Sequence, residues 1–284
     1  MPLFFIVSGL LYKDRRISIV IKNGVKRYLL PACCFVLFDF VRKMGVLIIT
    51  HSEMPDILTI IKTFTICGGM VTNSPIWFLP CLFMCVLAMS FTQNKPFIRI
   101  VILIGCIISC CAFDLTRVSL VWPFSFLAAY PFFYLGTRLK NEMIDKKMCI
   151  EPNNRIYFFI LFAVTVLTSL FNGITEIALI SFGKSYFLFL LTSVSGFMCV
   201  YYVAKAISNS RVSKPLSKIG QDTMLIFLTH YYLCRGLIKK MFSLLGLEAY
   251  QYNVMVELLL TLIITTIYYL IINMYRRGND NCNE

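Results

Sequence analysis

The amino-acid sequence predicts an all-α, polytopic integral membrane protein, a single helical bundle of about nine crossings at roughly 20 apolar residues each. Three observations predict it. Of 284 residues, 58% are hydrophobic, 15% aromatic and only 14% charged, against about 25% charged in soluble domains. Runs without Asp, Glu, Lys or Arg extend over 63–94, 118–137, 156–175, 185–204 and 258–275. The basic residues fall between these runs rather than along one face. A mean hydropathy of +0.77 is more than a soluble fold of this length can hide, and so many aromatic and β-branched residues exclude disorder.

In chain order, 3–12 is a short apolar segment of about half the length a crossing needs. A basic stretch, 13–27, reads as the first loop. Residues 28–48 form an interrupted crossing, and 63–94 holds one crossing with a polar approach. Next come 97–113, 118–137, 156–175, 185–204, 221–245 and 258–275. Barrel strands would alternate polar and apolar residues; these runs are apolar on all sides, so they are helices.

The net charge of +13 raises the question of nucleic acid. The clusters within 13–27, Lys95 with Arg99, those within 138–155 and 205–218, and Arg276 with Arg277 hold 19 of the 27 basic residues. With 13–27 in the cytoplasm they all lie on that side, which satisfies the positive-inside rule and places the C-terminus inside. The charge is a topological asymmetry, and no nucleic-acid partner is expected. The same topology puts Met1 outside. A signal peptide would carry its charges before the apolar stretch, whereas Lys13, Arg15 and Arg16 follow it. Two readings stay open. The chain is N-terminally incomplete, with a helix upstream, or 3–12 is a genuine short, tilted or re-entrant segment.

Pro2-Leu3-Phe4-Phe5-Ile6-Val7-Ser8-Gly9 resembles the second-helix signature of the acyltransferase-3 family of integral membrane O-acyltransferases, nearest its fucose 4-O-acetylase-like branch. Three further blocks are similar in order and approximate spacing. They are Lys26-Arg27-Tyr28-Leu29-Leu30-Pro31, Pro75-Ile76-Trp77-Phe78-Leu79-Pro80, and the run from Ile219-Gly220-Gln221 to Thr229-His230. The resemblance implies one helix more than is read here. It also implies transfer of an acetyl group from acetyl-CoA to a hydroxyl of a cell-surface glycan or lipid-linked precursor, in a bacterial cytoplasmic membrane. The family's first helix carries a basic residue and the His that is its usual catalytic candidate. Both would lie before Met1, so activity of the chain as written is an open question.

Acyl transfer to a hydroxyl needs a base, a site for the developing oxyanion and cations for the phosphates of coenzyme A. His51 and His230 are the only histidines. His51 reads as an outer-loop surface residue. His230 falls in an apolar helix, where an ionisable side chain is a functional hypothesis by default; it is the catalytic candidate, with an interhelical hydrogen bond as the alternative role. Arg27, Lys26 and Arg16 are the donor-binding candidates, since a guanidinium forks onto phosphate and an ammonium is a point charge. Flanking of a membrane helix would also explain them.

Trp77, between Pro75 and Pro80, and Asn73 before it are candidates for a substrate wall, because prolines free backbone groups that a water-lined cavity can satisfy. Asp39 is a third, on one helical face with Arg42 and Lys43. Ser8 and Gly9 permit close helix approach. The 12 cysteines show no metal-ligand spacing, so no metal and no permanently bound cofactor is expected. Two other functions remain: a transporter or flippase for a glycan or lipid-linked sugar, and a non-catalytic truncated homologue. The lipid bilayer, acetyl-CoA and a glycan are the expected partners.

Overall fold

The structure is a computed structural model, and it describes residues 1–49, 75–116, 124–140, 155–221, 223 and single helical positions between 259 and 274. It divides into two compact units, Met1–Ser208 and Asn209–Glu284. In the first unit α1 (Pro2–Leu10) leads to α2 (Ile17–Gly24), a π-helical turn (Val25–Leu29) and α3 (Leu30–Ile49). After a 3-10 turn at Pro75–Trp77 come α4 (Phe78–Phe91), α5 (Pro96–Thr116), α6 (Ser125–Lys140), α7 (Arg155–Asn172) and α8 (Tyr186–Ile207). The second unit contains α9 (Ser213–Gln221). The described residues form helices and turns, with one isolated β-bridge between Glu176 and Ser181 and no strand.

Helices occupy the predicted apolar windows, and α5 and α8 are long and apolar enough to cross a membrane. Windows 221–245 and 258–275 lie largely outside the described residues. One prediction needs correction. The stretch 13–27 is not a plain loop, because α2 begins at Ile17 and runs through the π turn into α3. At 1.5 Å per residue the path from Ile17 to Ile49 is about 50 Å long, beyond the roughly 30 Å of a hydrocarbon core. Part of it therefore extends past the apolar layer. Helix α2 forms because Ile17, Val20, Ile21 and Gly24 recur at helical spacing, and it buries Val20 and Gly24.

The π turn has a local cause. Pro31 has no N–H to give the Arg27 carbonyl, and its ring crowds that carbonyl. The ladder widens there instead, and the Leu30 N–H bonds the Val25 carbonyl, five residues back. The other described prolines break little. Pro2, Pro80, Pro96 and Pro215 sit in first helical turns, where amides lack an intrahelical acceptor anyway. Pro131, inside α6, removes one bond to the Leu127 carbonyl.

The core of the first unit lies where α1, α4 and α6 meet. Phe5 and Ile6 of α1, Leu79, Cys81 and Cys85 of α4, and Tyr130, Phe132 and Phe133 of α6 are wholly or almost wholly buried. The tightest approach is between α1 and α6. A Cβ on Gly9 would strike the Phe133 carbonyl oxygen, and one on Gly136 would strike that of Ile6. Backbones can come this close only where side chains are absent, the role of small residues between membrane helices. The reading of Gly9 as a packing residue is thus explained by a partner glycine 127 positions along the chain.

Outward faces are apolar. Helix α5 exposes Phe97, Ile100, Val101, Ile104 and Ile108, with Phe97 at 75%, and α7 exposes Ile156, Phe159, Phe162, Leu167 and Leu170. Such surface is far beyond the isolated apolar patches of a soluble monomer; lipid is the solvent that fits it. Hydroxyls between the paired helices α7 and α8 are satisfied locally. Between α7 and α8, Thr165 donates to the Ser195 hydroxyl at 2.9 Å and Thr192 to the Thr168 hydroxyl at 2.8 Å. Ser195 and Thr168 pass their own protons to carbonyls four residues back, at 2.7 Å each.

The glycine contact generates a stability prediction. Gly136→Ala should destabilise the protein by about 1–3 kcal/mol, the usual penalty of overpacking. Gly105→Ala, on α5 with open space around it, should be neutral or stabilise by up to about 1 kcal/mol. Thermal unfolding of both variants in one detergent checks the contrast, and equal midpoints would refute it.

Candidate functional site

The helix ends that carry basic residues converge in the first unit. α1 ends just before Lys13, Arg15 and Arg16, α4 and α5 are joined near Lys95 and Arg99, and α6 ends at Arg138 and Lys140. The connection between α1 and α2 is tied to all three neighbours. Lys140 Nζ donates to the Tyr12 carbonyl at 2.7 Å, and the Ser90 hydroxyl to the Arg15 carbonyl at 3.0 Å. Arg99 Nη2 lies 3.7 Å from Asp14 Oδ1.

Arg99 has a second task. Its Nε donates to the Thr92 carbonyl at 3.0 Å and its Nη2 to that of Met89 at 3.3 Å, so a cation closes the C-terminal end of α4. A half-exposed ion pair such as that with Asp14 contributes about 1 kcal/mol or less. Charged hydrogen bonds to orphan carbonyls contribute about 1.5–3 kcal/mol each, so capping is the larger effect. Tyr12 sits between these tethers. Burial pushes its phenol up to about 12, and the Asp14 carboxylate adds in the same direction.

Beside this tied connection is a cleft of about 300 Å³. Its wall comes from the end of α1 (Ser8, Leu11), the connection (Tyr12, Lys13, Arg15), α2 (Val20, Asn23, Gly24) and the π turn (Arg27, Tyr28), closed by Val86 of α4 and Phe133 of α6. Among the described residues, three cations and no carboxylate line it. Gly24 is required here because a Cβ would collide with the Phe83 ring of α4. The Arg27 guanidinium lies 5.8 Å from the Tyr28 ring centre, and that ring is 6.3 Å from Phe83. A widened helical turn thus presents Arg27 from an aromatic ledge. Cation–aromatic contact at exposed sites contributes about 0.5–1 kcal/mol, enough to bias the side chain's direction without itself using the N–H donors.

Of the predicted donor-binding residues, Arg27 lines this cleft, whereas Lys26 and Arg16 are exposed and do not. Lys13 and Arg15, outside the predicted set, do. Trp77 is 6% exposed, with its ring 6.4 Å from Phe5 and 6.3 Å from Phe78, and it lines neither this cleft nor the next. Asp39 is on α3 with its side chain outside the described part; Asn73, His51, Trp122 and His230 lie outside the described residues.

A second cleft, of about 340 Å³, opens at the other end of α1, about 13 Å away along the helix. Ser169, Asn172, Thr175, Thr192 and Ser193 line it with Phe189 and Phe197, and none of the described side chains there is charged. Its framework is the turn after α7. Asn172 donates to the Phe182 carbonyl at 2.7 Å and accepts from the amides of Lys184 and Ser185 at 3.1 and 2.9 Å. Gly183, at φ +78°, lies where a Cβ would meet the Asn172 carbonyl. Asp114, at the end of α5, accepts from the Tyr186 amide at 3.0 Å and so places a negative charge at the N-terminus of α8, where the helix dipole favours it. Sequence reasoning missed Asn172 and Asp114, although an acid at the very end of an apolar run was a signal for Asp114.

Compared with known proteins, the chain matches the acyltransferase-3 family model, described as an acyltransferase domain, over residues 1–274. No curated protein and no solved structure matches it.

Two predictions follow from the tethers. Arg99→Gln should speed tryptic cleavage at Lys13–Arg16, while Lys95→Gln, an exposed neighbour, should not; equal rates would mean that Arg99 holds nothing. The raised Tyr12 phenol means the fold favours its neutral form, a contribution fully present below pH 10 and lost as pH rises toward 12. The stability difference between native protein and Tyr12→Phe should therefore be flat up to pH 10 and shift against the native protein above it. Denaturant titrations across that range read the sign.

Proposed function

Since this chain belongs to the acyltransferase-3 family, we propose that it transfers an acetyl group from acetyl-CoA to a hydroxyl of a cell-surface glycan or its lipid-linked precursor. One observation carries the donor assignment: the cleft that gathers Arg27, Lys13 and Arg15 without a carboxylate. Its volume of about 300 Å³ suits a phosphorylated end of the donor rather than the whole molecule. Arg27 grips phosphate through two parallel N–H groups, and Lys13 and Arg15 add field. Tyr12, Tyr28 and Phe133 supply aromatic faces for a base. The location is a bacterial cytoplasmic membrane, with this basic end facing the cytoplasm where the donor is made.

The cleft at the other end of α1, whose described side chains carry no charge, suits the acceptor. Hydroxyls and aromatic edges bind a neutral sugar without the desolvation penalty of a buried charge. In the reaction an acceptor hydroxyl attacks the thioester carbonyl, the C–O bond forms, the C–S bond breaks and coenzyme A leaves as the thiol. His230 is the proposed base for the hydroxyl proton, since its ordinary pKa lies near neutrality. Trp77 acts from behind, by fixing Phe5 of α1, and Asn73 and Asp39 are proposed on the acceptor side.

The test is label transfer from acetyl-CoA to extracted glycan in membranes holding the protein. Arg27→Gln should raise the KM for acetyl-CoA about tenfold or more, with kcat less affected, and Arg27→Lys should recover part of the loss. A donor lacking its 3′-phosphate should narrow the gap between variant and native protein if Arg27 meets that phosphate. Glycan crossing the membrane unlabelled, with no acyl transfer, would replace this reading with transport.

A further inference from the structure

Helix α9 (Ser213–Gln221) has two unlike faces. The Leu216 amide bonds the Val212 carbonyl at 3.2 Å, which brings Val212 into helical register. Val212, Leu216 and Ile219 then fall in one narrow arc at i, i+4 and i+7 spacing. Lys214 and Lys218 fall opposite them, at about 100° per residue, and Arg211 stands in the turn just before. Val212 is 56% and Leu216 45% exposed, and no residue of α9 is buried. From Ser208 to Gln221 the chain has no Asp or Glu; Asp222 is the first acid after it.

Among the described residues the apolar arc stays largely uncovered, so another surface has to take it up. The arc of three apolar residues is narrower than the roughly 100° stripe of a helix that packs into a protein core. Cations without acids select a negatively charged partner, and the segment follows α8 by only five residues, within reach of the bilayer surface that α8 meets. We infer that α9 lies in the membrane interface, with Val212, Leu216 and Ile219 at the acyl boundary and Arg211, Lys214 and Lys218 on anionic lipid headgroups. The surface is built as interfacial amphipathic helices are, apolar below and basic toward the headgroups. It goes beyond the acyltransferase reading and depends only on membrane residence.

The experiment uses the full chain in nanodiscs of phosphatidylcholine alone or mixed with phosphatidylglycerol, and follows amide hydrogen–deuterium exchange over 213–221. Exchange should be at least about fivefold slower with phosphatidylglycerol, given the contribution of each Lys or Arg near an anionic surface. High salt should reduce the difference. The combined change Arg211→Gln, Lys214→Gln and Lys218→Gln should abolish it while exchange in α5 and α8 stays unchanged. Leu216→Ser, which keeps every charge, should speed exchange in both lipids. Equal exchange of the native protein in the two lipids overturns the inference. So does full protection in lipid-free detergent, which would mean that protein covers the stripe, or indifference of both lipids to Leu216→Ser.

Discussion

The contact of Gly9 with Gly136 is the constraint on which the first unit depends. With almost no side chain between them, the backbones of α1 and α6 lock at one height. The last turn of α1 is thereby brought level with the end of α6, where Lys140 reaches the Tyr12 carbonyl. From that level the α1–α2 connection can meet Ser90 and Arg99, and α2 can lie against Phe83. The cationic cleft is the space left between a fixed α1 and the α2 and π turn that fold back over it. Its position is a consequence of helix packing rather than of any attraction among its cations, which repel one another.

In an apolar solvent the remaining problem is polar satisfaction, and several described groups meet it pairwise. Hydroxyls on α7 and α8 share protons, Asn172 makes three bonds to one turn, and Asp114 terminates a helix on another segment. Arg99 does the same for α4. Each arrangement leaves few donors or acceptors facing lipid, where an unmet backbone group costs several kcal/mol. Among the described residues, Lys13, Arg15 and Arg27 line the cleft.

Much of this was legible in the sequence, for physical reasons that differ by residue. The apolar runs mark helices because lipid demands them, and Gly9 and Arg27 stand in blocks whose chemistry is readable. The choice of Lys13 and Arg15 over Arg16 and Lys26 was not readable, because it depends on the path of a connection held by residues far along the chain. Helix α2 escaped notice among basic residues, although the spacing of Ile17, Val20 and Gly24 carried its period. Trp77 looked like a cavity wall from its flanking prolines; its place among Phe5 and Phe78 is set by α1, which local sequence does not specify. Asn172 offered no signal, since its partners belong to a turn that closes only once α7 and α8 pair.

The π turn at Val25–Leu29 is, in helical terms, a phase shifter. One residue more than an α-helix would use rotates everything on one side of it by about 100° relative to the other. The face of α2 that meets α4 and the faces of α3 can therefore be assigned separately along what is otherwise one continuous rod. Pro31 fixes where the slip occurs, so the slip cannot migrate along the rod. Arg27 stands at the seam between the two phases, and its direction is inherited from neither.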